Sequence, residues 1–212
     1  MTPGSIRVRA AKAADVEALV SVHVRAFEGF FLTLLGEKFL RRLYTTFIEH
    51  HDVICQVVEN PHEVCGFAVG PLNPRGYFKA LLLHQGFGFA LDALPRLIRN
   101  PVVVGRRLLS ALFYRGAQPA VTPRAALLSS LAILPELRGT GASGLLIEAF
   151  CREAARYSAT HVYATTDRDA NNAANRFYVK HGFSLESSIV RSDGRVMNRY
   201  YRLLTKSARS TP

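Results

Sequence analysis

The sequence predicts an α/β protein of the α+β type, with a central mixed, twisted sheet flanked by helices. Three observations carry this. Apolar runs of strand length alternate with longer stretches of helical apolar spacing along most of the chain. A strand-like run ending at Leu134 passes through a short turn into a glycine-rich helix entry at Arg138 to Gly144. Asp193-Gly194 lies between two further strand-like runs, a strong hairpin signal. The chain of 212 residues exceeds the ~100–150 of a common domain. Its 49% apolar content is enough for one sizeable core, and residues 1–212 read as a single domain carrying one insertion.

Residues 6–10 alternate like a first strand. Over 13–27, Val16, Leu19, Val20, His23 and Phe27 recur at helical spacing, with Asp15 and Glu17 suited to the first turn. A second helix is expected over 37–50, with Phe39, Leu40, Leu43, Phe47 and Ile48 inward. Residues 53–59 and 63–71 form two strands joined at Asn60-Pro61-His62. The insertion, about 75–120, falls between the third and fourth strands. A fourth strand over 125–134 is interrupted only by Ser129 and Ser130 and stopped by Pro135, which has no N–H to donate. From 144 to 157, Leu146, Ile147, Phe150, Cys151 and Ala154 share one helix face and Glu148, Arg152 and Arg156 the other. After a further strand, 171–181 reads as a helix with Asn171 as N-cap and Gly182 as its left-handed stop. Residues 184–191 and 195–204 close the sheet as a hairpin, and 205–212 read as a flexible tail.

The turn at Arg138 to Gly144 binds phosphate on physical grounds. Glycines there let the backbone approach a ligand, and unpaired N–H groups point outward at the positive end of the helix dipole. Gly139, Gly141 and Gly144 satisfy G-x-G-x-x-G, and Asp167 lies where a dinucleotide fold places its ribose-binding acid. That reading is disfavoured: Pro135-Glu136-Leu137-Arg138 separate strand from glycine, and too little chain follows Asp167 for a second nucleotide-binding half. No Lys-Ser or Lys-Thr pair follows the glycines, so a P-loop is excluded.

Arg138-Gly139-Thr140-Gly141-Ala142-Ser143 resembles the Q/R-x-x-G-x-G/A pyrophosphate loop of the GNAT superfamily of N-acetyltransferases, with Ser143 standing where Gly or Ala is usual. The stretch from Asn171 through Ala174 and Tyr178 to Gly182-Phe183 resembles that family's N-x-x-A-x-x-x-Y-x-x-x-G-F segment. Two independent motifs in the right order make the resemblance specific over 125–183. It implies the GNAT acyl-CoA N-acyltransferase fold and direct transfer from acetyl-CoA to an amine, without an acyl-enzyme. By the same resemblance, backbone groups around Leu131 and Ile133 pair with the pantetheine arm. Arg138, Gly139, Thr140, Gly141, Ala142 and Ser143 hold the pyrophosphate, Asn171 contacts the CoA arm, and Tyr178 gives the departing thiolate its proton. Spacing alone reads Tyr178 equally as a core aromatic and Asn171 as a plain cap.

The loop between the first two helices often borders the acceptor in this family, which points to His23, Glu28 and the aromatic stretch around them. Glu28 is the candidate base, with His23 beside it. Both read also as ordinary surface or core-edge groups, and water can deprotonate an amine without a dedicated residue. The acceptor is expected to be a small-molecule primary amine. Residues 29–36 and the basic insertion look like those of members associated with surface polysaccharides, which suggests an amino sugar, free or nucleotide-linked. A non-enzymatic rival is an acyl-CoA sensor or membrane-docking module of the same fold.

The insertion is apolar and basic: seven basic residues, Arg75, Lys79, Arg96, Arg99, Arg106, Arg107 and Arg115, against Asp92 alone give +6 of the chain's formal +11. Phe87, Leu91, Leu94, Leu97 and Ile98, then Val104, Leu108, Leu109 and Leu112, suggest two amphipathic helices broken near Asn100-Pro101. They fit an outer layer with solvated arginines, a site for an anionic substrate, or peripheral contact with an anionic membrane. Nucleic acid is not expected as a partner, since the arginines lack an interleaved aromatic platform. Neither piece is long and apolar enough to span a bilayer. Charged residues from Arg7 to Glu17 argue against a secretory leader and for a cytoplasmic protein. Cys55, Cys65 and Cys151 read as free core thiols, and the scattered histidines predict no metal site.

Overall fold

The structure, a computed structural model, describes residues 6–99, 124–191 and 194–204. Eight strands and six α-helices occur among them in the order β1 (Arg7–Ala10), α1 (Val16–Ala26), α2 (Phe31–Leu35), α3 (Glu37–Glu49), β2 (Val53–Glu59), β3 (Val64–Pro71), α4 (Pro74–Arg99), β4 (Ala125–Leu127), β5 (Ser130–Ile133), α5 (Ala142–Arg156), β6 (His161–Asp167), α6 (Asn172–Lys180), β7 (Ser184–Val190) and β8 (Val196–Leu203).

The sheet is in two halves. One has the order β1-β2-β3-β5 and the other β4-β6-β8-β7. All pairings are antiparallel except β4 with β6. All eight residues of β3 are buried, so the first half is covered on both faces. Helix α5 packs on β2, β3 and β5, while α1 packs on β3 and β5 and α3 on β2. Leu146, Ile147, Phe150 and Ala154 of α5 are wholly buried, as their spacing predicts.

The expected single strand over 125–134 is instead two, and the break positions the site. Leu127 still lies opposite Tyr163 of β6, and the Leu128 amide donates to the Tyr163 carbonyl at 2.9 Å. One residue on, the Ser129 amide and hydroxyl both donate to the Val69 carbonyl, at 3.0 and 2.8 Å, and β5 then pairs with β3 alone. The crossing needs Gly70, where a Cβ would lie 1.7 Å from the Leu127 carbonyl oxygen. Beyond the switch, Ala164 to Asp167 of β6 pair only with β8. The facing edges of β5 and β6 therefore diverge into a wedge with no strand between them.

The insertion is helical where it is described. Its described part is a single helix, α4, packed on α2, α3 and β3 through Tyr77, Leu81, Phe89 and Ala93. The apolar stripe read from the sequence points out: Phe87 is 80% exposed and Ile98 71%, with Leu91 and Leu94 also exposed, as is Leu83. Inward packing is set by the aromatic contact of Phe89 with Phe39, 4.9 Å between centroids, and by the ion pair of Asp92 with Arg42. The second expected helix, at Val104 to Leu112, and the 205–212 tail lie outside the described residues. A short helix, α2, occupies the aromatic stretch after Gly29, where none was expected. The Asp193-Gly194 turn behaves as predicted at its described end: the Arg191 amide donates to the Arg195 carbonyl at 2.8 Å, and Gly194 has φ +83°.

Candidate active site

The wedge leads into the glycine turn. After β5, Pro135 to Leu137 make one turn of 3-10 helix, and the chain reaches α5 through Gly139 and Gly141, at φ +82° and +89°. A Cβ at either glycine would meet open space, so glycine is required there for backbone conformation and not for room. Gly141 is the N-cap of α5, with no side chain capping it. The amides of Gly139, Gly141, Ala142, Ser143 and Gly144 donate to no described group. Five N–H groups without a described acceptor at the start of a fifteen-residue helix are arranged to receive an anion, with the helix dipole adding positive potential. Arg138 is exposed and bonds to no described side chain, which leaves its guanidinium free to reach the same anion. Thr140 is spent locally, since its amide and hydroxyl both donate to the Leu137 carbonyl. Ala142 is fully buried and Ser143 half-buried, so at Ser143 the amide is what the turn presents. Glu136, the acid nearest the turn in sequence, is held by Arg25 of α1.

Helix α6 brings Tyr178 to the wedge. Its ring packs between Phe177, Phe183 and Tyr200, with centroids 5.4 to 5.6 Å away, and the ring of Tyr200 lies nearly parallel to it. Burial pushes the phenol up to about 12. It therefore stays protonated at neutral pH, and its hydroxyl makes no hydrogen bond to a described residue. The end of α6 abuts the start of α5. A Cβ on Gly144 would lie 2.8 Å from Cε1 of His181, so a side chain at this third glycine would force the His181 ring to move. His181 also lies beside Glu148, whose carboxylate accepts two bonds from Arg202 at 2.6 and 3.0 Å.

Two site expectations change. Asn171 stands at the N-cap of α6, but its side chain caps nothing: Nδ2 donates to the Thr166 hydroxyl of β6 at 2.7 Å. The carboxamide is thereby tied to the edge of the wedge. His23 is a core residue, 2% exposed, with Nδ1 2.6 Å from the Tyr44 hydroxyl and its ring stacked over Phe67. Burial lowers it to about 4. Glu28 is exposed in the turn between α1 and α2, without a hydrogen bond or ion pair to another described residue. Leu131 and Ile133 are half-buried on the strand whose far edge faces the wedge.

Sequence reasoning missed Asn175. Its Nδ2 donates to the carbonyls of Asp167 and Asn171, at 2.9 and 2.8 Å. Its Oδ1 accepts from Asn198 Nδ2 and the Tyr200 hydroxyl, both at 2.9 Å. One side chain thus ties α6 to β6 and β8 and fixes the tyrosine against which Tyr178 stacks. The available signal was a second Asn at helix spacing from Asn171, in a helix otherwise poor in residues that fold back on backbone.

The fold is shared widely. The ribosomal-protein-S18-alanine N-acetyltransferase of Escherichia coli superposes with a TM-score of 0.60 at 11% identity, covering 98% of this chain and 99% of that one. A spermidine N-acetyltransferase chimera from Vibrio cholerae and hSSAT gives 0.61 at 16%, over 95% and 96%. The PaiA N-acetyltransferase of Thermoplasma acidophilum, solved with coenzyme A, gives 0.57 at 12%, over 92% and 98%. No curated protein matches the sequence. The family model of the acetyltransferase (GNAT) family matches residues 17–183 and spans every element from α1 to the end of α6. Wedge, uncapped amides and free phenol fall inside that match, and the chain belongs to the acetyltransferase (GNAT) family, whose members are acetyl-CoA-dependent N-acetyltransferases.

Proposed function

We propose that this protein is a cytoplasmic enzyme that transfers an acetyl group directly from acetyl-CoA to the primary amine of a small molecule, with amino sugars, free or nucleotide-linked, as first candidates. The observation that carries this is the set of amides of Gly139, Gly141, Ala142, Ser143 and Gly144, which donate to no described group, at the mouth of a wedge whose other wall bears the Tyr178 hydroxyl, itself without a described partner. In this reading Gly139, Gly141, Ala142, Ser143 and Arg138 hold the pyrophosphate of the co-substrate. The pantetheine arm lies along the free edge of β5 at Leu131 and Ile133, with Asn171 and Thr166 on the β6 side. Fixing both reactants here supplies proximity, and strand N–H groups polarise the thioester carbonyl.

The amine attacks the carbonyl carbon, the C–N bond forms, the C–S bond breaks, and the ammonium proton is lost to water or to Glu28. Tyr178 donates its phenolic proton toward the leaving sulfur. A thiol near 8.5 is a stronger acid than a phenol at about 12. Tyr178 therefore acts by a hydrogen bond that strengthens as charge builds on sulfur and keeps its own proton, while the departing thiolate is protonated by water. The test is thiol release from acetyl-CoA with an amine panel, comparing wild type with Tyr178→Phe. Turnover in the wild type and a fall of roughly 10²–10⁴ in kcat, with CoA affinity kept, is expected. CoA binding without turnover for any amine returns the chain to the non-catalytic reading; turnover that is unaffected in the variant removes Tyr178 from the mechanism.

A second role is supported by α4. Its outward face carries Leu83, Phe87, Leu91, Leu94 and Ile98, beside a strongly basic stretch of sequence. That combination suits peripheral contact with an anionic membrane. No described helix is long and apolar enough to cross one. Salt-sensitive co-sedimentation with phosphatidylglycerol vesicles, lost in Phe87→Glu, is the expected result; absence of binding removes this role.

A further inference from the structure

The face of the second half-sheet opposite α6 holds an arginine whose side-chain N–H groups make no hydrogen bond to a described residue. Asn198 and Tyr200 of β8 point to α6, where both bond to Asn175. Arg199, between them, therefore points the other way. It is 3% exposed. Its guanidinium lies 4.4 Å above the ring of Tyr163. Nε is 2.7 Å from Glu186 Oε2, but the approach is too bent for a hydrogen bond, so Nε is buried without an acceptor. Nη1 and Nη2 donate to no described residue. Glu186 supplies a charge partner, but guanidinium N–H groups left without hydrogen bonds in a poorly solvated site are expensive, and buried arginines are normally bonded.

The surroundings are arranged around this cation. Ser187, directly opposite Arg199 on β7, has a buried hydroxyl that also lacks a partner. Glu186 is the extra residue where the β7 register shifts against β8, and the bulge turns its carboxylate toward Arg199. On the other side Arg199 pairs with Thr165, within the stretch of β6 that borders the wedge. The sulfur of a thioester held in the wedge sits on the Tyr178 side. The opposite side, which Arg199 and Ser187 occupy, is the one left for the incoming amine.

We propose that Arg199, with Ser187, binds an anionic group of the acceptor, a carboxylate or a phosphate, and so selects the amine that is acetylated. This rests on the acetyltransfer reading above and adds the charge of its substrate. Two N–H groups of a guanidinium fit such a group side by side, which lysine does not reproduce.

The test uses matched acceptors: glucosamine against glucosamine 6-phosphate, and an amino acid amide against its free acid. The anionic member of at least one pair is expected to show a kcat/KM at least tenfold higher, and which pair responds tells phosphate from carboxylate. Arg199→Met is expected to erase that ratio while the KM for acetyl-CoA changes less than twofold. Ser187→Ala, which leaves the buried cation in place, is expected to cut it about threefold and covers failure of Arg199→Met to fold. Equal rates for both members of each pair, or a ratio that survives Arg199→Met or, where that variant does not fold, Ser187→Ala, overturn the inference. If no amine turns over, inorganic phosphate is titrated calorimetrically into the CoA-saturated protein. Binding to wild type that is weakened by either substitution upholds the anion site although acetyltransfer has failed; no binding to wild type overturns it.

Discussion

Acidification should weaken this fold through His23. The imidazole is 2% exposed, its Nδ1 is engaged by the Tyr44 hydroxyl, and its Nε2 is buried without a partner. Burial lowers its pKa from 6.5 to about 4, so the folded protein keeps it neutral where the unfolded chain takes up a proton. For a base with a depressed folded pKa, stability is complete above about 6.5 and declines as pH falls through the window down to about 4. Each pH unit of that window is worth about 1.36 kcal/mol, so the loss across it is about 3 kcal/mol. This is a large part of the roughly 5–15 kcal/mol available to a typical domain. The assay is urea unfolding at half-unit steps from pH 4 to 8, with wild type beside the His23→Phe, Tyr44→Phe double variant. That variant removes the titrating ring and leaves no hydroxyl orphaned. Other groups, His161 among them, titrate in both proteins, so the difference between the curves isolates His23. A difference that stays flat between pH 4 and 6.5 refutes the argument, because His23 would then be charged in the folded state or in contact with water.

Two further outcomes are expected. Asn175→Ala leaves the Asn198 and Tyr200 donors, 6% and 4% exposed, without their acceptor. It should cost about 2–4 kcal/mol in thermal or urea unfolding. In the same variant kcat should fall more than the KM for acetyl-CoA rises, because Tyr178 loses the support of its stacked neighbour; equal changes in both would deny Asn175 a positioning role. Gly141→Ala places a side chain at φ +89° in open space, which costs about 1–2 kcal/mol of backbone strain without a clash. Relief of that strain re-aims the free amides, so the KM for acetyl-CoA should rise about tenfold, and an unchanged KM would show that these amides do not hold the pyrophosphate.

Much of the architecture was legible because it is written in local physics. The two-residue and 3.6-residue periods placed strands β1 to β3, helices α1, α3 and α5 and the closing hairpin within a few residues. Gly182 marked positive φ correctly. Which way the apolar stripe of α4 turns was left open by the sequence, because such a stripe says only that one side prefers to leave water. Which side meets the core was settled by Phe89 against Phe39 and by Asp92 against Arg42, partners fifty residues away in the chain.

The sequence by itself determined the mixed α/β class and the glycine-rich helix entry, since glycine conformation, proline's missing donor and helix spacing act over a few residues, while its two motifs carried the resemblance to the acetyltransferase (GNAT) family. Tertiary structure alone decided that the fourth strand breaks at Ser129 and opens a wedge, that Asn171 bonds to Thr166 instead of capping, that His23 lies in the core, and that Asn175 and Arg199 stand on opposite sides of one sheet. Each of these depends on which distant backbone passes close by, as the Leu127 carbonyl does over Gly70, and no local preference of the chain encodes that.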